Sequence, residues 1–447
     1  METRHAQGGG RSRREALLTD RQQRLMTKVQ RPLLAGLRLL GDPIGRLGDV
    51  ASLTRDPYAV YRRLAEDGAV VRSRLPMVSV ATTHAAVTEV LRNHRVEPPT
   101  EDFRWDSPLD PSLLSLDPPH HTRIRRLVAQ AFTPRAISQM RARAQTVADE
   151  LLDAAVGQGG TVDLMRSYAS PLPITMICQM LGLPVDDMDR FREWGTAVAL
   201  TLEVPDPRHQ PRIDQAAAEL EEVFTEAFDR RRAEPGDDVL TRLVNARDGQ
   251  DKLSDQELVA TSILILLAGF ETTVNLIGNG VLALLHHPDQ RRHFVGDPNG
   301  LAAACVEEVL RYDPPVQMTS RYIVDDTVIE GVPIPGKTSV VCLLGGANRD
   351  PAVFQEPDRF VIGRPDARQH LSFSTGVHHC LGAALARLEG EVALSTLFWR
   401  FPHLRQAGRA RRHKAQVLRG LETFPVDLGP EQPQVTGARA PRPARAA

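Results

Sequence analysis

The sequence predicts a mainly α chain with a minor β region. Three observations carry that prediction. A helical pattern of about 32 residues runs unbroken from Asp255 to His287, long enough to cross a whole domain. Helical periodicity dominates from about residue 117 onward, whereas β-branched residues and Gly/Pro turns are concentrated in residues 321–344. Nothing in the chain resembles a βαβ nucleotide-binding unit, and there is no internal repeat.

Composition narrows the class. With 42% hydrophobic and 25% charged residues the chain can build a large core. Its 55 basic and 56 acidic residues leave a net charge of −1, so charge gives no argument for a nucleic-acid partner. Cys178, Cys305, Cys342 and Cys380 are scattered without C-x-x-C spacing, which favours a reducing, cytoplasmic compartment over a disulfide scaffold. No run of uninterrupted apolar residues reaches the roughly 18 to 20 that a membrane span needs; "SILILLAGF" (262–270) is the most apolar and is followed by Glu271.

Taken in order, residues 1–50 form a basic arm without the apolar core of a signal peptide, expected to be partly disordered. An organellar transit peptide is the alternative reading of its arginine-rich start. "PLLAGLRLLGDPIGRLGDVASL" (32–53) is interrupted by glycines and Pro43, and the arm is expected to be dispensable for cofactor binding up to about residue 45. "DPYAVYRRLAEDG" (56–68) reads as a short helix closed by Gly68. Helical segments then follow, broken at 170–173, 181–184, 204–207 and 233–238. In "LSDQEL" (253–258), Ser254 and Glu257 spell a capping box, with Leu253 and Leu258 as its hydrophobic staple. The middle of the helix that follows is apolar on every face and is expected to be buried. A further helix covers about 300–311, the β region 321–344 comes next, and a last helix begins beside Cys380 with Leu385, Leu388 and Val392 on one face. Residues 429–447, rich in Pro, Ala and Arg, are expected to form a disordered tail.

Chemistry is concentrated in "FSTGVHHCLG" (373–382). A lone cysteine is most often a buried structural residue. A zinc site built from His378, His379 and Cys380 would require three adjacent side chains to converge on one tetrahedral centre, against the usual ligand spacings. A third reading is a single axial thiolate on a haem, where the macrocycle supplies the remaining in-plane ligands. The glycines then let the backbone pass close to a flat ring, and a helix start favours the thiolate.

Phe373, Gly376, His378, Cys380 and Gly382 match F-x-x-G-x-H-x-C-x-G, and in this the chain resembles the cytochrome P-450 superfamily. Ser374 departs from the second glycine that many members carry. The resemblance spans about residues 56–428 and gains independent marks. "AGFETT" (268–273) looks like the family's oxygen-activation segment, although Thr272 could equally bond a carbonyl one turn back. Glu308 and Arg311 match E-x-x-R, with Arg359 as third member of that charge cluster. "DPPHHTRIRRLV" (117–128) resembles the helix that contacts the haem propionates.

The resemblance implies a single haem-binding domain over residues 51–428, of the soluble bacterial kind, carrying haem b. Cys380 would be the iron ligand, with Phe373, Gly376 and Gly382 shaping its loop. His121, Arg125, Arg321 and His378 would hold the propionates; Gly269 would leave room for oxygen, and Glu271 and Thr272 would handle protons. The activity implied is a monooxygenase that inserts one atom of O₂ into a hydrophobic small molecule: a natural product, steroid, terpenoid or fatty acid. Electrons would come from NAD(P)H through a ferredoxin and its reductase, docked on a basic surface including Arg126 and the run 409–414. The protein would act as a monomer without a membrane span. Alternatives are a peroxide-using peroxygenase, or a non-catalytic haem sensor or electron carrier. The substrate pocket would draw on 93–116, 185–210, 264–273, 316–320 and 420–424, including Leu109, Leu113, Leu114, Leu264, Val316, Met318 and Phe424.

Overall fold

The structure, a computed structural model, describes residues 32–93, 95–96, 108–185, 187–203, 206–247 and 251–432. The expected C-terminal tail beyond 432, the first 31 residues of the expected arm, and parts of the expected substrate pocket lie outside the described residues.

The long helix is Asp255–His286, and its start is built as its sequence specifies. Ser254 Oγ accepts from the Glu257 N–H at 3.2 Å while the Glu257 carboxylate accepts from the Ser254 N–H at 2.8 Å. Leu253 and Leu258 are both buried. Among the described residues this helix alone is long and apolar enough to cross a membrane, but most of its apolar length is enclosed by protein. It packs against Pro171–Leu181 on one side and Ala383–Arg400 on another, and Ala383–Arg400 in turn packs on Pro298–Tyr312 and Pro134–Gln158. One continuous apolar core fills the space between these helices.

Pro171–Leu181 ends where Gly182 takes a left-handed conformation (φ +74°), closing the helix at the expected break. The expected β region supplies Thr319–Ile323, Thr327–Ile329, Val332–Ile334 and Thr338–Cys342. It does not stand alone. Val70–Arg72 and Val78–Ala81 join Thr338–Cys342 and Thr319–Ile323 in one four-stranded sheet, with Val78–Ala81 parallel to Thr338–Cys342. Two short sheets near the C-terminus complete the β content, one pairing Leu421–Thr423 with Arg411–Arg412.

Residues 32–50, the part of the basic arm that the structure describes, pack on the body. A helix covers 32–39 and buries Leu37, and Asp42 caps the next helix, Pro43–Leu47. The Asp42 carboxylate also accepts from Ser73 Oγ and from the Arg74 N–H.

Candidate active site

Two segments carry the expected site. The first is the loop 373–382 ahead of helix Ala383–Arg400. Gly376 sits at φ +74°, and a Cβ there would lie 3.1 Å from Arg92 Cα and 3.2 Å from the Leu91 carbonyl, so the loop can seat on helix His84–Asn93 only through glycine. Ser374, the departure from the family pattern, adopts φ +59° and so keeps the conformation that glycine would take. A Cβ on Gly382 would meet no protein atom, leaving its face clear for a flat ring. The Cys380 N–H donates to the Phe373 carbonyl at 2.9 Å, which closes the loop on itself.

Burial pushes the Cys380 thiol up, opposed by the Gly382 N–H, Arg125 and Arg387. The protein alone therefore favours the thiol, and a thiolate here calls for a cation bound to sulfur, as a ligated metal provides. Among the described residues no group of three or more His, Cys, Asp or Glu side chains could hold a metal ion. Cys380 would have to share its metal with ligands from a cofactor.

The fit to a haem is tested by the polar groups around the loop. His121 and His378 lie with ring centroids 4.3 Å apart, His121 being 1% exposed. Both ring nitrogens of His121 and Nε of Arg321 are buried without a hydrogen-bond partner, and Nε2 of His378 meets the Asp117 carboxylate at 3.5 Å. Burial first, then His378 and Arg125, push the His121 imidazole down to about 4, with Asp117 opposing. Arg321 is 4% exposed, and burial lowers its pKa against the pull of Cys342 and Asp117. Such buried polar nitrogens cost stability unless hydrogen-bond partners meet them. An acid with two carboxylates, such as a haem with its propionates, would satisfy them together. Arg125 is turned elsewhere in the structure: its guanidinium donates to the His379 carbonyl at 2.7 Å and ties the His120–Ala129 helix to the cysteine loop.

The second segment is 268–273 in the long helix, where Ala268, Gly269, Glu271 and Thr272 are accessible amid buried neighbours. Thr272 Oγ1 donates to the Ala268 carbonyl one turn back at 2.9 Å, which commits its proton but leaves its lone pairs able to accept. Gly269 also has a packing role: a Cβ there would sit 2.8 Å from Ile177 Cδ1, so the glycine serves close packing against Pro171–Leu181, and Ala268 beside it is the more accessible small residue. Burial pushes the Glu271 carboxyl up to about 7. A side cavity of about 290 Å³ reaches it, lined by Arg166, Arg192, Thr196, His413 and Glu422 among others.

Behind the loop the sequence reading is both deepened and corrected. Glu308 and Arg311 are fully buried, and Arg311 uses all five donors: a bidentate pair with Glu308 and three backbone carbonyls, of Asn348, Pro357 and Arg359. The third charged member is Arg364, 3.2 Å from Glu308, not Arg359, whose side chain is exposed and pairs with Glu356. Three residues the sequence reading missed support Phe373. Arg387 lies over its ring at 4.5 Å and pairs with buried Glu307, which also sits 3.3 Å from His370. The only hint was Arg387 one turn into a helix otherwise presenting leucines.

Two further corrections follow. Phe424 is fully buried in the main core and cannot line a pocket; Met318 is nearly so, with Leu47 and Tyr61, while Leu109 packs in the main core. The run 409–414 is only partly outward: Arg409, Arg411 and Lys414 are exposed. Arg412 is inward, bonded to Asp313 and Asn279, and His413 lines the cavity at Glu271.

Comparison with known proteins agrees with this geometry. The cytochrome P450 family profile matches residues 43–293 and 300–419. The chain is 40% identical over 426 residues to "Putative cytochrome P450 140" of Mycobacterium tuberculosis, covering 89% of this chain and 93% of that one. It is 41% identical over 393 residues to "Vitamin D(3) 25-hydroxylase" of Pseudonocardia autotrophica, covering 84% and 94%. Among solved structures, ligand-free CYP164A2 of Mycobacterium smegmatis superposes with a TM-score of 0.79 at 36% identity, covering 88% of this chain and 99% of that one.

Proposed function

Because this chain belongs to the cytochrome P450 family and is therefore a haem-thiolate monooxygenase, we propose that it oxidises a bulky hydrophobic small molecule with electrons relayed from NAD(P)H. The candidate substrates are natural products, steroids, terpenoids and fatty acids. A ferredoxin and its reductase are the proposed carriers, and the enzyme is proposed to work as a monomer.

The observation that carries the haem assignment is the set of buried ring and guanidinium nitrogens on His121 and Arg321 that lack a hydrogen-bond partner, beside His378. Those side chains would receive the propionates, with Arg125 bracing the loop and Cys380 providing the sulfur. When bound, the haem supplies the site at which O₂ is reduced and one oxygen atom is inserted. The protein's part is to exclude bulk water and to deliver protons. Thr272 accepts at its oxygen, and Glu271, protonated below about pH 7, donates from the cavity side. The relative named "Vitamin D(3) 25-hydroxylase" supports a substrate of this class here.

Reduced, CO-treated protein is expected to show the red-shifted Soret band of a thiolate complex, and a histidine-type band from folded protein would overturn the assignment of Cys380. Substrate class is tested by titrating a library of steroids, terpenoids, macrolides and fatty acids and reading the spin-state difference spectrum. Binding confined to small polar compounds would refute it.

A further inference from the structure

An acid stands among the groups that would receive the propionates. The Asp117 carboxylate lies 3.5 Å from His378 Nε2, within ion-pair reach and just beyond a good hydrogen bond. Both side chains are largely enclosed, His378 being 8% and Asp117 12% exposed. The charge of Asp117 also reaches His121 and Arg321, where it works against burial. Carboxylates that share a site disfavour one another's charge. A carboxylate beside a pocket for two more is therefore a cost, and its bonds show what offsets it.

Asp117 Oδ1 accepts from the Val96 N–H at 3.1 Å. The Asp117 carbonyl accepts from the His121 N–H at 3.0 Å, at the start of helix His120–Ala129. Arg95, next to Val96, accepts at its carbonyl from the Tyr322 N–H at 2.7 Å. Tyr322 follows Arg321 in strand Thr319–Ile323. Asp117 thus joins three segments that are far apart along the chain. It meets the cysteine loop at His378, opens the helix that carries His121, and is linked through residues 95–96 to the strand that carries Arg321.

We propose that Asp117 is a positioning residue of the haem cradle: its carboxylate holds the His378 ring against His121 and keeps helix, strand and loop in register for the propionates. The carboxylate works here as a second partner to a histidine whose ring must face a ligand, which fixes the ring's orientation in the way that carboxylates fix metal-binding histidines. Its contribution is to pre-organise the donors, so that the propionates meet groups already in place. The inference rests on the haem reading above.

The test follows haem transfer from the full-length holoprotein to excess apomyoglobin by absorbance. Asp117→Asn keeps an oxygen for the Val96 N–H and removes the charge that faces His378. It is expected to speed haem loss roughly tenfold, since charge-assisted contacts are the stronger ones. His378→Phe keeps a ring and removes its nitrogens, and is expected to speed loss by a similar factor. The combined variant is expected to lose haem within about twofold of His378→Phe alone, because the Asp117 charge acts through that ring. Asp117→Ala also gives up the Val96 bond, and its additional loss is expected to persist when His378 is absent. Slower haem loss from Asp117→Asn would mean that the carboxylate merely repels propionates, and would overturn the proposal. Unchanged loss, or factors that multiply in the combined variant, would overturn it equally. The wild-type Soret band decides the haem reading separately. Wild type that takes up no haem would sink both, whereas firmly held haem that is indifferent to Asp117 would sink this inference alone.

Discussion

Thr272 donates to a carbonyl of its own helix, the geometry a purely structural threonine would show. What separates the two roles is its surroundings. Thr272 is accessible beside a carboxyl that burial holds near neutrality, whereas the next residue, Thr273, is buried and bonds Gly269 in the same manner. Thr272→Ala is therefore expected to keep folding and substrate affinity while raising hydrogen peroxide released per NAD(P)H and lowering product, read by parallel peroxide and product assays. Wild-type coupling in that variant would make Thr272 a helix residue only. Glu271 gives a second, pH-dependent test. Its pKa lies above the ordinary 4.5, at about 7, in a cavity whose other charged groups are Asp163, Arg166, Arg192, His413 and Glu422. A raised carboxyl contributes stability that is present below about pH 4.5 and lost as pH rises through about 7. Glu271→Gln removes that loss, so the variant is expected to match wild type in acid and to melt later above pH 7. Wild-type coupling is expected to fall as pH rises through about 7, and the variant's coupling to be low throughout.

At the scale of elements, the long helix and the cysteine loop were legible because their signals are local. A capping box, a staple and a run of apolar residues fix Asp255–His286 without help from elsewhere. The E-x-x-R pair was legible only as a pattern, since burial decides its meaning. Spacing alone allows an exposed pair, whereas the folded chain encloses it completely and substitutes Arg364 for Arg359. Strands Val70–Arg72 and Val78–Ala81 pair with each other and join the sheet only through Thr338–Cys342, the partner of Val78–Ala81 far along the chain, and so went unseen. The packing role of Gly269 went unseen for the same reason, as Ile177 belongs to another helix. Ser374 offers a test of how firmly the loop dictates its own conformation. A non-glycine residue at φ +59° is strained by roughly 1–2 kcal/mol, partly offset by the greater chain entropy that glycine loses on folding. Its Oγ is also buried without a partner. Ser374→Gly is expected to stabilise the holoprotein by about 1 kcal/mol, seen as haem release at higher temperature. Destabilisation would mean that the hydroxyl is used when the cofactor is in place.

On the scale of the whole molecule, the boundary between arm and body is where sequence and structure part. A glycine-interrupted, leucine-rich stretch reads as loosely attached because no motif lies in it, and the bonds that fasten it to the sheet are distant in sequence. Leu37 is buried, and Asp42 carries three hydrogen bonds outward: Ser73 Oγ reaches both its oxygens at 2.9 and 3.0 Å, and the Arg74 N–H reaches one at 2.5 Å. Through them this segment is fastened to the turn between two strands of the main sheet. Since Thr319–Ile323, which carries Arg321, lies in that same sheet, the N-terminal segment braces a wall of the haem site at one remove. Two truncations separate arm from body. Deleting residues 1–31 removes charge but none of these contacts, so haem content and thermal midpoint are expected to stay at wild-type values. Deleting residues 1–45 removes a buried leucine and a multiply bonded carboxylate together. The first is worth about 2–5 kcal/mol and the second leaves partners unsatisfied at about 1–3 kcal/mol. That variant is expected to lose haem at markedly lower temperature, and Leu37→Ala in the full chain to reproduce part of the loss. If the longer truncation kept the wild-type midpoint, residues 32–45 would be a passenger on the surface, and the sheet would hold Arg321 without them.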